Sequence, residues 1–117
     1  MKKTQSRGLP CRFPSDYEIS KKTLERLKSN VNAETKTTLK ALEAVSNPIR
    51  LRILRALMVK ELCVCVLVSL LRVRYSKLSY HLNLLKEAGL VSSSKQENFL
   101  IYRLTNFGKS LLASIGS

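Results

Sequence analysis

Arg72-Val73-Arg74-Tyr75-Ser76-Lys77-Leu78-Ser79-Tyr80-His81-Leu82-Asn83-Leu84-Leu85-Lys86-Glu87-Ala88-Gly89 is the stretch whose reading decides the fold. Leu78, Leu82 and Leu85 recur at i, i+4 and i+7, the period of one buried helical stripe. Tyr75, Ser76, Lys77, Ser79, Tyr80 and Asn83 fall on the other faces, so a helix from Tyr75 to Glu87 would be polar and basic outside. Gly89 supplies the left-handed residue that ends it. Upstream, the spacing predicts a helix that begins near Glu61, whose carboxylate suits the positive end of the helix dipole. It runs through Leu67, Leu70 and Leu71 and breaks at Arg72-Val73-Arg74. Two helices joined by so short a turn, the second one polar and basic, make a helix-turn-helix.

On the C-terminal side, Val91 and then Phe99 to Leu104 have strand composition around a polar turn, Ser92 to Asn98. This predicts a two-stranded hairpin, the wing of a winged helix. Thr105 caps a last helix whose apolar face is Phe107, Leu111, Leu112 and Ile115. On the N-terminal side, Pro48 starts a helix with Ile49, Ile53, Leu54 and Leu57 on one face and Arg50, Arg52 and Arg55 on a solvated one. Before it, Leu39, Leu42, Val45 and Ser46 mark one face of a helix in the stretch from Ala33 that stops before Asn47-Pro48. A short helix from an N-cap at Ser15 or Asp16 to about Ser29 precedes that. Residues 1–14 lack an apolar period and read as a mobile arm holding Cys11; residues 15–117 form one domain. The expected fold is therefore mostly α with a small β-hairpin wing, a winged helix-turn-helix, and dimeric because a core this small gains from a partner.

Composition points the same way. The 117 residues carry 21 Lys plus Arg against 8 Asp plus Glu, a formal charge of +13, more than solubility requires. A polyanion is the expected partner, and nucleic acid the first candidate. The longest wholly apolar run, Leu62 to Val68, is too short to span a bilayer, and no signal peptide is recognisable, so the cytoplasm is the expected location. A single histidine and no acid–base constellation leave little to carry catalysis. Arg72 and Arg74 in the turn are candidates to grip phosphate, Tyr75, Ser76, Lys77, Ser79 and Tyr80 to reach base edges or phosphates, and Lys95 and Arg103 to hold the backbone from the wing. A dimer would read an imperfect palindrome in double-stranded DNA.

Two cysteines stand one residue apart in Glu61-Leu62-Cys63-Val64-Cys65. One alone would be an ordinary small hydrophobe. A Cys-x-Cys pair just ahead of a recognition helix is instead a soft-ion ligand set, and a helix N-terminus favours the thiolate form. On a regular helix the two side chains point about 200° apart, so binding one ion is expected to strain the first turn. Thiolate character also favours oxidation, so a thiol redox switch is the alternative from a different class. A constitutive architectural binder that works by charge alone is a third.

Four motifs in order carry a family resemblance: Ala44-Val45-Ser46-Asn47-Pro48-Ile49-Arg50-Leu51-Arg52-Ile53-Leu54, Glu61-Leu62-Cys63-Val64-Cys65, Ser76-Lys77-Leu78-Ser79-Tyr80-His81-Leu82, and Lys86-Glu87-Ala88-Gly89-Leu90-Val91. Over roughly residues 35–115 the chain resembles the ArsR/SmtB family of metal-responsive winged-helix repressors, and Leu-Cys-Val-Cys is similar to the subset sensing arsenic, antimony, cadmium or lead through thiolates. The resemblance implies a homodimer that occupies its operator without any cofactor and leaves it when the inducer ion binds. The arsenic branch often adds a cysteine three residues after the pair, where this chain has Val68. The cadmium and lead branch uses an N-terminal arm, and Cys11 is similar to one of its cysteines. Cys11 with Cys63 and Cys65 would suit a trigonal ion with a lone pair, As(III) or Sb(III) first and Pb(II) as the alternative; Cd(II) would need a fourth ligand. Cys11 as a stray thiol remains open beside this. Val66 replaces a common Asp. Thr105 to Ser117 holds no carboxylate or imidazole side chain, which excludes the family's zinc and nickel type of site. His81, beside the buried stripe, is read as structural.

Overall fold

The computed structural model describes residues 18–116, which hold six helices and three strands. Helix α1 (Lys21–Val31) lies in a unit that ends at Thr35; every other element lies in a second unit from Lys36 onward. The cap expected at Ser15 or Asp16 falls outside the described residues. Ser20 is the N-cap of α1, its hydroxyl accepting from the Thr23 amide at 3.1 Å.

The second unit runs α2 (Lys36–Val45), α3 (Pro48–Val59), β1 (Leu62–Cys63), α4 (Val64–Leu71), α5 (Tyr75–Glu87), β2 (Val91–Gln96), β3 (Phe99–Leu104) and α6 (Asn106–Ser114). Local chemistry sets the boundaries. Asn47 caps α3 by accepting from the Ile49 and Arg50 amides, with Pro48 at the first helical position. Arg72 ends α4 in the left-handed region (φ 58°, ψ 45°), its amide donating to the Val68 carbonyl. Gly89, at φ 79°, turns the chain out of α5. Thr105 caps α6 by accepting from the Gly108 amide at 3.0 Å, as its place in the sequence predicts.

Leu78, Leu82 and Leu85 are fully buried, so the stripe that decides the fold is the one the core uses. They pack with Ile53, Leu54 and Leu57 of α3, Leu67 and Leu71 of α4, Leu90, and Leu112 of α6. Truncating one such leucine to alanine costs about 2–5 kcal/mol.

Three expectations are corrected. The helix expected from near Glu61 begins at Val64; Leu62 and Cys63 form an edge strand antiparallel to β3, pairing Leu62 with Tyr102 and Cys63 with Ile101. A two-residue strand leaves no periodic trace, and the sheet is three-stranded in the order β1-β3-β2 instead of a two-stranded hairpin. Second, the polar segment from Ser92 is strand to Gln96, because the β3 backbone supplies its ladder partners; only Glu97 and Asn98 turn. Glu97 takes φ 55°, in keeping with the twist of tight hairpins. Third, α2 buries Ala41 and Ala44, which allow close helix approach, and leaves Leu39 and Leu42 exposed. Leu70, Phe107 and Ile115 are exposed as well.

Candidate nucleic-acid interface and thiol site

The turn between α4 and α5 places Arg72 and Arg74 on the surface on either side of half-buried Val73. Tyr75, Ser76, Lys77 and Tyr80 of α5 are exposed and Ser79 is half-buried, while the leucines hold the opposite face in the core. Lys86 near the end of α5 donates to the Ser93 hydroxyl at 2.8 Å, which ties the recognition helix to the wing. Lys95 is exposed near the wing tip. Arg103 is instead engaged by neighbouring side chains of the sheet: its Nη2 donates to Glu61 Oε1 at 3.0 Å and to the Ser94 hydroxyl at 3.2 Å. Glu61 therefore serves as a surface ion-pair partner across the sheet and not as a charge at the start of a helix.

His81 is buried at 6% exposure against Tyr80, whose ring meets it edge-on at 5.2 Å between centroids. The Arg50 guanidinium lies 3.1 Å from His81 Nδ1 and can only donate, so Nδ1 accepts and the ring is neutral. Burial first, then the positive charges of Arg50 and Lys77, push its pKa below the ordinary 6.5. Arg50 also donates through Nε to the Ala44 carbonyl at 2.6 Å, tying the end of α2 to α5. It is thus a half-buried strut, where the sequence suggests a solvated arginine.

Cys63 is the last residue of β1 and the N-cap position of α4, with extended backbone (φ −81°, ψ 158°); Cys65 lies in the first turn of α4. Because one cysteine precedes the helix, the two side chains converge. The sulfurs are joined as a disulfide, with a Cα–Cα distance of 5.5 Å. This overturns the expectation that the pair points apart and must unwind the helix to meet. When reduced, the same backbone presents two thiols side by side at open helix amides, a donor arrangement that supplies two of the ligands a soft ion needs. Cys63 is half-buried and Cys65 exposed. Cys11 lies outside the described residues. Among the described residues no group of three or more His, Cys, Asp or Glu side chains is placed to hold a metal ion.

The thiol pair opens onto a cleft of about 240 Å³ lined also by Val64, Tyr75, Asn98, Phe99 and Leu100. One wall is thus the first residue of the recognition helix and another is the tip of the wing. Sequence reasoning gave Phe99 and Leu100 no functional role; their position as apolar residues at the tip of a polar hairpin was the available signal.

These features have relatives. The sequence profile described as "Bacterial regulatory protein, arsR family" matches residues 47–93, from the α3 cap through the thiol pair and recognition helix into β2. The cadmium resistance transcriptional regulatory protein CadC of Listeria innocua is 31% identical over 100 residues, covering 84% of each chain. The chain belongs to the arsR family. Another relative, a protein of Halobacterium salinarum named for an arsenical resistance operon, is 40% identical over 76 residues; that match covers 63% of this chain and 59% of the relative's length. Among solved structures, HlyU from Vibrio cholerae is 32% identical with a TM-score of 0.66, covering 72% of this chain and 92% of its own. The arsR-family profile leaves α2 and α6 outside its bounds, and those are the helices that expose Leu39, Leu42, Phe107 and Ile115. Among the described residues no helix is long and apolar enough to cross a membrane.

Proposed function

We propose that this arsR-family protein is a transcriptional repressor that binds operator DNA as a homodimer and is released when a soft thiophilic ion, As(III) or Sb(III) first and Pb(II) or Cd(II) as alternatives, binds its cysteines. The observation that carries this is the convergence of Cys63 and Cys65 on a cleft walled by Tyr75 and the wing. A ligand there bears on both DNA-reading elements at once. β1 pairs directly with wing strand β3, so a shift of Cys63 to accommodate an ion is passed to the wing through the ladder. Arg72, Arg74, Tyr75, Ser76, Lys77, Ser79, Tyr80 and Lys95 form the DNA face, and Arg103 joins it by leaving Glu61. Cys11 completes a trigonal thiolate set. The relatives named for arsenical and cadmium resistance support an ion of this class without distinguishing its members.

Dimerisation uses the apolar residues left uncovered on α2 and α6, whose burial between two copies removes Leu39, Leu42, Phe107 and Ile115 from water. The operator is an imperfect palindrome. Such a regulator acts beside the DNA, in the cytoplasm, and performs no catalysis.

The test is fluorescence anisotropy on the protein's own promoter DNA under a phosphine reductant, titrating As(III), Sb(III), Pb(II), Cd(II) and Zn(II) against wild type, Cys11→Ser and Cys63→Ser. Release by a soft ion that disappears in Cys63→Ser is expected. DNA binding unaffected by every ion would sink the reading. A second reading, a thiol redox switch, is favoured by the disulfide-bonded state of the pair: a peroxide-class oxidant would take two electrons and two protons from the thiols and release DNA without any ion.

A further inference from the structure

His81 is the single histidine of the chain, and neither the DNA face nor the thiol site uses it. It is buried on α5 next to Tyr80, which is 60% exposed on the face offered to DNA. The two rings meet at 5.2 Å and 68°, so the buried imidazole is a wall against which the exposed phenol rests. Behind it, Nδ1 accepts from Arg50 Nη1 at 3.1 Å, and Arg50 Nε donates to the Ala44 carbonyl at 2.6 Å. Ala44 lies in the last turn of α2, where helix carbonyls lack partners of their own and a cation suits the dipole. One guanidinium therefore links the end of α2, the start of α3 and the underside of α5. Leu78, Leu82 and Leu85 set how deep α5 lies, but apolar packing is non-directional and permits small rotations about the helix axis. A hydrogen bond to a ring nitrogen is directional and resists them.

We propose that Arg50 is a positioning residue for operator reading: acting through neutral His81, it fixes the rotation of α5 and with it the place of Tyr80 on the DNA. This rests on the proposed function, in which α5 reads the operator. The relay holds only while Nδ1 has a lone pair to offer. Burial opposes a proton there, and so do the charges of Arg50 from α3 and Lys77 from α5 itself. From α2, Lys40 and Glu43 line the neighbouring cleft of about 200 Å³ together with Arg50 and Glu87. The α4 helix brings no charged side chain, and the one on β2, Lys95, stands exposed near the wing tip. When acid does protonate the ring, Arg50 loses its acceptor and α5 its rotational tie. The cations that meet phosphate are untouched. The loss therefore falls on discrimination between DNA sequences and leaves general attraction to DNA in place.

The test uses the full chain under reductant and reads its preference for its own promoter duplex over a shuffled duplex of equal length, with the salt slope of each. Thermal melts keep every comparison on folded protein. The pH is carried down from 7.0 through the midpoint that the lone imidazole shows by NMR. Wild type should lose preference by about fivefold or more, the low end of what one base contact is worth. The midpoint of that loss should coincide with the imidazole's, and the salt slope should not change. His81→Gln, which offers Arg50 an acceptor but does not titrate, should keep its preference at every pH. Arg50→Lys, which keeps the charge but cannot hold both partners, and His81→Leu should have lost it already at pH 7.0. Tyr80→Ala should be costly in wild type and nearly neutral in His81→Leu. A wild-type preference that is flat across the imidazole midpoint, or falls equally in His81→Gln, overturns the proposal, as does full preference in Arg50→Lys and His81→Leu. Tyr80→Ala without effect in wild type overturns the reading of Tyr80 as part of the DNA face as well.

Discussion

The Arg50 guanidinium and the His81 imidazole meet at 3.1 Å beneath the recognition helix, with Arg50 donating and Nδ1 accepting. The same guanidinium holds the Ala44 carbonyl, so one side chain ties α2 and α3 to α5. Protonating His81 would set two cations against each other in a buried place. The unfolded chain takes up this proton near 6.5, while the folded chain takes it only at lower pH, so the folded state is favoured above 6.5 and loses stability as pH falls below it. Once the folded form also protonates, the loss levels off. Thermal unfolding of wild type between pH 7.5 and 5.5 should show this fall, and His81→Gln, which still accepts from Arg50 but does not titrate, should flatten it.

Gly108 is the helical position where a side chain has no room. A Cβ there would collide with the Leu90 carbonyl oxygen, because Thr105 draws α6 down onto the end of α5: its amide donates to Leu90 at 3.1 Å and its hydroxyl to Gly89 at 2.6 Å. Gly108→Ala should destabilise by about 1–3 kcal/mol, the cost of an overpacked contact that must move backbone, despite alanine's better helix propensity. Chemical denaturation measures it, and a stabilised variant would show that α6 is not docked this way.

Arg72 combines two roles that a single substitution separates. Its left-handed backbone is strained for any residue with a Cβ, so Arg72→Gly should leave stability unchanged or raise it by up to about 1 kcal/mol. If its guanidinium grips phosphate, the same variant binds DNA more weakly, and the slope of log K against log salt falls by about 0.9 for each phosphate that is no longer neutralised. Equal affinity and slope would remove Arg72 from the interface.

The helix-turn-helix was legible because its signals are local and periodic: three leucines at helical spacing, a basic turn and a terminal glycine. The sequence suggested a ligand role for the thiol pair but did not carry its geometry. Whether Cys63 and Cys65 diverge or converge depends on where α4 begins, and that is fixed by pairing of Leu62 and Cys63 with Tyr102 and Ile101, some forty residues away in sequence. The same long-range pairing brings Glu61 to Arg103, and the hairpin fold brings Phe99 beside Cys65. Likewise Leu39 and Leu42 look like core in a helical pattern, yet within the second unit Ala41 and Ala44 form the packed face. Periodicity finds an apolar face without saying which neighbour covers it.

Glu61 and Arg103 give a last test, of how the edge strand restrains the wing. Their ion pair is about half exposed, 40% for the Arg103 side chain and 48% for that of Glu61, so it contributes at most about 1 kcal/mol to stability. Its effect on DNA binding should be larger than its effect on folding. While Glu61 holds Arg103, the guanidinium is partly neutralised and engaged with Glu61 and the Ser94 hydroxyl. Glu61→Gln keeps the side chain's shape, removes the negative charge and leaves Arg103 free to meet a phosphate. Expected outcomes are a thermal midpoint close to wild type, a severalfold gain in DNA affinity at low salt and a steeper salt dependence. Arg103→Ala should lower affinity and abolish the gain when combined with Glu61→Gln. If Glu61→Gln binds DNA as the wild type does, with the same salt slope, Arg103 has only the structural role of joining β3 to the residue before β1, and the wing contributes its charge through Lys95 alone.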